Sequence, residues 1–379
     1  MSAQPQVEVI ISLYNYQDYI VQCVDSVLKQ SYTNIIINII DDGSSDKSVE
    51  VLRRAFPSEF PTSARLKLIT QANQGQLGAF NTGFENLDSK SEIVLFLDAD
   101  DYMQPEYVAH IVEQFQSQQC DYIFCNPKIL DMGIESKPIS DIIESKESQH
   151  IDSGLTCARS GASGDSLSTS DTNLPQANCV EIIESQPISD IIESKPSKRV
   201  DLELANSSFD KVMPSRGLAL PIGDLSFGIF RTYYLLTYFG TSTSSIAITR
   251  ETLAKILPLR SIESKWRIRA DDCIIYGAAL VGAKMYRTSY EGIVYRVHTT
   301  NNYCGKSFSP SYEFGRTLAV QELFAQIMEK NGILLTYRVF MQEFLLAPKP
   351  KKRDYLKILS LCDFTLSQKI WAFFRIVLH

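Results

Sequence analysis

The 379-residue sequence contains no apolar run that approaches the roughly 20 residues a helix needs to cross a bilayer. Its first residues show neither a basic stretch nor a small-residue cleavage site, and its eight cysteines include no C-x-x-C pair. We therefore expect no membrane span, no signal peptide and no zinc or disulfide framework. The thiols are expected to be reduced, as in a cytoplasmic protein.

Aromatic residues are missing from one long segment. No Phe, Tyr or Trp occurs from Cys125 to Ser208, although aromatics make up 10% of the chain. Residues 131–208 carry 14 acidic and 6 basic side chains, a net charge of −8, whereas residues 346–379 carry 7 basic and 2 acidic ones, a net charge of +5. The total net charge of −7 is therefore the sum of segments whose charges differ in sign. A mildly acidic body argues against a nucleic-acid partner.

The aromatic-free segment also contains a duplication. Ile134–Lys146 reads IESKPISDIIESK, and Ile183–Lys195 repeats it with Gln186 in place of Lys137. Two copies are too few for a solenoid, which needs about three units to bury a core. We interpret residues 131–225 as a polar insertion that is largely flexible. The alternative is an arm that folds on a partner.

Before this insertion, strand and helix patterns alternate. Runs rich in β-branched residues at Val7–Leu13, Ile35–Ile40, Leu66–Ile69 and Ile93–Leu97 predict strands, with helical periodicity between them. This order favours an α/β fold with a Rossmann-like, mostly parallel twisted sheet flanked by helices. Ligands of such sheets bind at the carboxyl ends of the strands.

Acidic and polar residues follow three of these strands. They are SLYN at residues 12–15, DDGSSD at residues 41–46 and DADD at residues 98–101. Carboxylates gathered at one edge cost stability unless a cation or hydrogen-bond donors compensate them. Mg²⁺ or Mn²⁺ would do so, because both prefer carboxylate oxygens and bridge to phosphates. Each motif taken singly is also typical of a turn or a helix cap.

Together with NQGQLGAFNTG at Asn73–Gly83, these motifs closely resemble the family 2 glycosyltransferases of GT-A fold. The resemblance covers about residues 5–127 and resumes at about 226–300. There the acidic pair DD at residues 271–272 and YRVH at residues 295–298 match the second half of the family domain. Leu13 stands where many members have Pro or Ser, and Asp271 where Glu is usual. Neither departure removes a required functional group.

The resemblance implies four regions. Residues 1–130 would form the nucleotide-sugar-binding half of the GT-A domain, and residues 226–305 the acceptor-binding and catalytic half. The insertion 131–225 would separate these halves. Residues 306–379 would form a C-terminal amphipathic helical extension.

The resemblance also implies roles for single residues. Asp272 would be the general base, with Asp271 beside it, and Asp100 and His298 would hold Mn²⁺ or Mg²⁺. By their types alone, the acidic pair could instead cap a helix, and the histidine could lie in the core. The residues expected to bind the nucleotide sugar are Ser12, Tyr14, Asn15, Asp42, Gly75, Asn81 and Asp98.

The implied activity is metal-dependent transfer of a sugar from a nucleotide-diphosphate sugar, expected to be a UDP-sugar, to a hydroxyl of a saccharide or lipid-linked acceptor. Such a reaction belongs to polysaccharide, glycan or glycolipid synthesis. One base and one metal without a nucleophile indicate direct displacement with inversion. Two alternatives stay open. One is a nucleotidyltransferase, although SLYNYQDY offers no Gly-rich phosphate loop, and the other is a non-catalytic scaffold of the same fold that uses the insertion to bind partners.

The C-terminal residues 346–379 combine basic side chains with apolar helical faces. Lys349, Lys351, Lys352 and Arg353 precede the closing segment KIWAFFRIVLH. This pattern suits an anionic membrane surface, so we expect peripheral attachment at the inner membrane face. The alternative is a helical cap on the catalytic domain with a solvated basic face.

Overall fold

The structure is a computed structural model that describes residues 1–2, 4–60, 64–132, 220–299, 301 and 308–379. Both copies of the duplication, and nearly all of the predicted 131–225 insertion, lie outside the described residues. The four predicted regions and their boundaries therefore stay a prediction.

Strands and helices alternate through the first part of the chain, and helices dominate its end. The strands are β1 (Gln6–Leu13), β2 (Ile35–Asp41), β3 (Leu66–Thr70), β4 (Ser91–Asp98), β5 (Tyr102–Met103), β6 (Tyr122–Phe124), β7 (Lys128–Asp131), β8 (Gly223–Asp224), β9 (Ala247–Thr249), β10 (Met285–Arg287) and β11 (Ile293–Val297). The helices are α1 (Ile20–Leu28), α2 (Ser48–Ala55), α3 (Gln76–Glu85), α4 (Tyr107–Gln118), α5 (Ile229–Leu235), α6 (Arg250–Ile256), α7 (Asp271–Leu280), α8 (Pro310–Asn331), α9 (Tyr337–Leu346), α10 (Lys352–Leu361) and α11 (Leu366–Leu378).

The main sheet has the strand order β3-β2-β1-β4-β9-β6-β10-β8, and a small sheet has the order β5-β11-β7. β1 pairs in parallel with β2 and β4, and β2 pairs in parallel with β3. β9 is antiparallel to both β4 and β6, so it joins the first part of the chain to the second within one sheet. The predicted α/β fold with a mostly parallel sheet is confirmed.

Helices cover both faces of the main sheet, which explains why its central strands are continuous apolar runs. Along β1, Ile10 enters one core with residues of α3, α7 and α8. Its neighbours Val9 and Ile11 enter the opposite core with residues of α1, α2 and α4. Successive side chains of a strand point to opposite faces, so each central strand anchors two layers.

The strand register brings three polar strand ends to one edge of the sheet. Leu13 at the end of β1 lies opposite Asp41 of β2, and Ser12 lies opposite Asp98 of β4. The loops that follow these strands therefore open on the same side. This is where the sequence pattern predicts a ligand site.

The C-terminal extension is helical, as predicted. α8 packs against α6 and α7, whereas α9, α10 and α11 build a separate small core with α5 around Phe230, Phe340 and Tyr355. None of the helices in the described ranges is long and apolar enough to cross a membrane.

Glu343 of α9 fixes this small core to α5. Its buried carboxylate accepts hydrogen bonds from the backbone N–H of Phe230 at 2.7 Å and of Arg231 at 3.3 Å, and from the Tyr355 hydroxyl at 3.1 Å. The carboxylate thus satisfies N–H groups in the first turn of α5 that have no partner within the helix. α5 also packs against α7, so the C-terminal helices are joined to the sheet layer through it.

Candidate active site

A cavity of about 310 Å³ opens at the carboxyl ends of β1, β2 and β4. The loop before β9 and the segment that leads into α7 also line it. The polar side chains that line it are Ser12, Tyr14, Tyr16, Asp42, Asn73, Gln76, Asp98, Asp100, Thr241, Ser242, Thr243, Arg267, Arg269, Asp271, Tyr295 and Asn301.

Asp98, the last residue of β4, lies in the cavity wall with two donors. Ser12 Oγ and Gln76 Nε2 each donate to its Oδ1 at 3.0 Å. Burial, reinforced by the charges of Asp100 and Asp271, raises the pKa of Asp98 to about 7. The carboxylates of this site therefore disfavour one another's ionised forms.

Asp100 and His298 form a buried pair beside Asp98. Asp100 Oδ2 lies 3.1 Å from His298 Nε2 and accepts a hydrogen bond from Asn301 Nδ2 at 3.1 Å. The Tyr16 hydroxyl also bonds to Asp100, and burial together with nearby carboxylates raises the pKa of Tyr16, which keeps it a donor. Tyr19 stacks on the His298 ring with centroids 4.5 Å apart, which fixes the plane of the imidazole.

Asp101 does not line the cavity and instead holds the loop that follows β4. Its fully buried carboxylate accepts from Ser244 Oγ at 2.6 Å and from the Arg296 backbone N–H at 3.0 Å. The Arg296 guanidinium donates to the Asp100 carbonyl oxygen at 2.6 Å. These bonds fix the backbone that presents Asp100.

Asp42 orders the loop that leads into α3. Its carboxylate accepts from Gln71 Nε2 at 2.8 Å and from the backbone N–H groups of Gln74 at 2.8 Å and Gly75 at 2.7 Å. A carboxylate oxygen accepts more than one hydrogen bond, so Asp42 can hold this loop and still bind a ligand in the cavity.

Gly75 lets this loop touch the segment before α7. Its φ is +86°, and a Cβ atom placed there would lie 2.5 Å from Arg267 Cα. The close approach allows the Gln76 N–H to donate to the Arg267 carbonyl oxygen at 3.0 Å, and the Ala270 N–H to donate to Gln76 Oε1 at 2.9 Å. Glycine is required here by both the backbone angle and the lack of space.

The acidic pair at the start of α7 faces two environments. Asp271 lines the cavity and accepts from the Tyr238 hydroxyl at 3.2 Å. Asp272 is fully buried and forms ion pairs with Arg316 and, at 3.7 Å, with Arg269. Burial and the charge of Asp272 raise the pKa of Asp271 to about 6. Burial alone would raise the pKa of Asp272 as well, but the two guanidiniums lower it.

The expectation that Asp272 is the general base stays a prediction. Its carboxylate is occupied by arginines and does not line the cavity, whereas that of Asp271 does.

The structure brings most of the predicted site residues together. His298 is not one of the residues that line the cavity, but its Nε2 atom lies 3.1 Å from Asp100 Oδ2. The predicted residues that line the cavity are Ser12, Tyr14, Asp42, Gly75, Asp98, Asp100 and Asp271.

Two residues predicted to bind the nucleotide sugar do not line the cavity, and their assignment stays a prediction. Asn15, at φ 59°, accepts from the Ser45 N–H at 2.7 Å and so holds the loop after β2. Asn81 is fully buried, accepts from the Leu259 N–H at 2.8 Å and donates to Glu263 Oε1 at 2.7 Å. The amide of Asn15 joins two loops, whereas that of Asn81 joins α3 to residues 259–263.

Some site residues are missed by the sequence reasoning. Gln76 bonds to Asp98 and also donates to Thr243 Oγ1 at 3.3 Å. The run TSTSS at residues 241–245 is the signal available for Thr243. Arg316 has no local signal, since it lies 44 residues beyond Asp272 in the middle of a long helix.

The described residues contain no group of three or more His, Cys, Asp or Glu side chains that could hold a metal. Asp100 and His298 nevertheless offer one oxygen and one nitrogen close together, a donor set that suits Mn²⁺. Phosphate oxygens and water can complete such a shell. Because the neighbouring carboxylates also favour a cation, these residues fit the expected metal.

Comparison with known proteins finds similarity to one family of transferases. The family model described as glycosyl transferase family 2 matches residues 8–159 of the chain. An uncharacterized glycosyltransferase of Nostoc sp., alr2836, is 29% identical over 333 residues, which cover 88% of this chain and 77% of that protein. Residues 8–159 of the chain are thus similar to glycosyl transferase family 2.

Other relatives match this glycosyltransferase over a shorter part. The glycosyltransferase GlyA of Streptococcus pneumoniae is 32% identical over 121 residues, 32% of this chain and 16% of that protein. An uncharacterized glycosyltransferase of Haemophilus influenzae is 38% identical over 100 residues, 26% of this chain and 38% of that protein. The matched part thus spans less than half of the length of these two relatives.

Two solved structures are similar at low identity. S. aureus TarS in complex with UDP-GlcNAc has 14% identity and a TM-score of 0.46, covering 98% of this chain and 80% of that one. The Pyrobaculum calidifontis mannosyltransferase PcManGT in complex with GDP-Man and Mn²⁺ has 15% identity and a TM-score of 0.45, covering 100% and 81%. These low scores add nothing to the family assignment, which rests on the sequence matches.

These sequence matches support an enzyme, a glycosyltransferase. The nucleotidyltransferase and the non-catalytic scaffold are therefore set aside.

The substitution Gly75→Ala tests the close approach between the loop that leads into α3 and the segment before α7. Because the new Cβ would meet Arg267 Cα at 2.5 Å and the backbone is held at φ +86°, we expect the free energy of unfolding to fall by about 2–4 kcal/mol. Urea denaturation measures this change. Gly332→Ala is the matched control, since φ there is +61° and nothing lies within 4 Å. It should cost only about 1 kcal/mol. Equal losses would show that the close approach does not require glycine.

Proposed function

We propose that this enzyme transfers a sugar from a nucleoside-diphosphate sugar, with a UDP-sugar as the expected donor, to a hydroxyl group of a saccharide or lipid-linked acceptor. The reaction would serve polysaccharide, glycan or glycolipid synthesis. The observation that carries the proposal is that Asp98, Asp100 and Asp271 line one cavity of about 310 Å³. Groups for the leaving diphosphate and for the attacking hydroxyl thereby share one site.

The nucleoside is assigned to the sheet edge. Asp42 and Asp98 each expose a carboxylate that can accept from a base N–H or a ribose hydroxyl. Tyr14, which is 43% exposed at the rim, offers a ring against which a base can stack. Ser12 positions Asp98 through its hydroxyl.

Asp100 and His298 are assigned to Mn²⁺ or Mg²⁺. When bound, the metal would neutralise the charge that develops on the leaving diphosphate. The chain's own contribution is to present these two groups in fixed positions. Asn301 and Tyr16 hold the Asp100 carboxylate, and Tyr19 holds the His298 ring.

Asp271 is assigned as the general base. It lines the cavity, and its raised pKa makes it a better proton acceptor than an ordinary aspartate. In the reaction Asp271 takes the proton of the acceptor hydroxyl while that oxygen forms its bond to the anomeric carbon. The bond to the diphosphate oxygen breaks, and a single displacement of this kind inverts the anomeric centre.

Asp272 is assigned a positioning role. Its ion pairs with Arg316 and Arg269 hold the first turn of α7. Its charge also raises the pKa of its neighbour Asp271. The base and its tuning group are therefore adjacent in the sequence.

Metal-assisted nucleotide binding tests the donor site. In a thermal-shift measurement, UDP with Mn²⁺ should raise Tm by about 3–8 °C, and more than UDP alone. Asp100→Asn should remove most of the metal-dependent part, because it removes one of the two ligands. Asp363→Asn changes an exposed carboxylate in the loop between α10 and α11; it is the control and should keep the full shift. An undiminished shift in Asp100→Asn would refute the assignment.

The pH dependence of kcat/KM tests the base. The raised pKa of Asp271 predicts activity that is low below about pH 6 and rises as the carboxylate loses its proton. Asp271→Asn should lower kcat by about 10²–10⁴-fold. Asp272→Asn should retain much of the plateau activity and move the acid limb to lower pH, because one cause of the raised pKa is removed.

The two asparagine variants control for each other, and circular dichroism verifies that both are folded. If Asp272→Asn loses its fold because Arg316 is left without a counter-charge, the double variant Asp272→Asn/Arg316→Met removes both charges. A folded Asp272→Asn enzyme, or a folded double variant, with as large a loss of kcat as Asp271→Asn would make Asp272 the base.

A further inference from the structure

The last helix, α11, turns its large apolar side chains to solvent. Leu366, Trp371 and Leu378 are 76%, 69% and 81% exposed. We call the exposed apolar side chains of this helix the α11 face. They are Leu366, Ile370, Trp371, Phe373, Phe374, Val377 and Leu378.

The α11 face is a continuous stripe. At 100° per residue, its seven side chains fall within an arc of about 160°. The opposite side is packed on the protein through the fully buried Ala372 and Ile376. Lys369 and Arg375 lie at the two borders of the stripe.

The helix is well defined without any partner on this face. Thr365 accepts from the Gln368 N–H, and the Gln368 side chain accepts from the Thr365 N–H, which forms a capping box. At the other end, Lys352 Nζ donates to the Val377 carbonyl oxygen at 3.0 Å. The exposed stripe is therefore a fixed surface, about 20 Å long for 13 residues.

The positive charge near the stripe indicates which kind of surface it binds. Residues 346–379 carry a net charge of +5, and Lys349, Lys351, Lys352 and Arg353 lie just before or in the first turn of the neighbouring α10. A second copy of the chain docked face to face would bring two such positive surfaces together. An anionic lipid surface instead supplies both the apolar interior and the opposite charge.

We propose that the α11 face inserts into the headgroup and acyl boundary of an anionic membrane. The helix lies in the plane of the surface, with Trp371 and Phe374 at the level that aromatic side chains prefer and with Lys369 and Arg375 on the lipid phosphates. The contact is built into the enzyme, because α11 packs on α10 and α10 on α5, which also packs on α7. α7 begins with Asp271, the assigned base.

Vesicle sedimentation of the full chain tests this inference. The protein should pellet with vesicles of phosphatidylcholine and phosphatidylglycerol, and much less with phosphatidylcholine alone, and added salt should weaken binding. Trp371→Ser/Phe374→Ser should weaken vesicle binding by about tenfold or more, since two large apolar contacts are lost. Lys369→Glu/Arg375→Glu should weaken binding to the anionic vesicles.

The matched control is Phe314→Ser/Leu318→Ser, a pair of exposed apolar residues four positions apart on α8. It should bind vesicles like the unaltered chain. The inference is overturned if the unaltered chain pellets with neither vesicle, or if sedimentation velocity shows a dimer that Trp371→Ser/Phe374→Ser dissociates while vesicles are not bound. The UDP-dependent thermal shift of each variant is read in parallel, so a failure of the donor site is distinguished from a failure of the membrane contact.

Discussion

Negative charge buried at the carboxyl edge of the sheet is the constraint on which this active site depends. Asp98, Asp100 and Asp271 share one cavity, and burial raises the pKa of Asp98 and Asp271. Neighbouring groups compensate part of that charge. Hydroxyl and amide groups donate to Asp98 and Asp100, and arginines pair with the carboxylate of Asp272. Under the proposed function, a cation and the diphosphate of a sugar donor would bind beside these carboxylates.

The sequence predicts that the polar strand ends meet at one edge of the sheet, because apolar runs bounded by polar turns mark its strands. The structure adds the register, in which Ser12 lies opposite Asp98. The direction of a side chain at a helix start is not encoded locally. Asp271 and Asp272 are neighbours, and the ion pair of Asp272 with Arg316, 44 residues later, distinguishes the residue that faces the cavity. Asn81 escapes prediction for a similar reason, since its partners lie about 180 residues away.

In the C-terminal region, the charge pattern coincides with an exposed apolar helix face. The total of −7 sums an acidic segment, a nearly balanced body and a basic end. The basic end surrounds a helix whose packed side is narrow, limited to small or branched side chains at Ala372 and Ile376. Its wide apolar side faces outward. The pattern of a membrane-surface helix is visible in the sequence, whereas the side that is left exposed follows only from how α11 packs.

The central claim is that Asp271 activates an acceptor hydroxyl for direct attack on the anomeric carbon of the donor. The most direct measurement is the anomeric configuration of the first product formed from an α-linked nucleotide sugar, read from the proton coupling of the anomeric centre by NMR. The account predicts a β-linked product, because one displacement inverts the centre. An α-linked product would contradict it, since retention needs a mechanism other than a single base-assisted displacement from the opposite side.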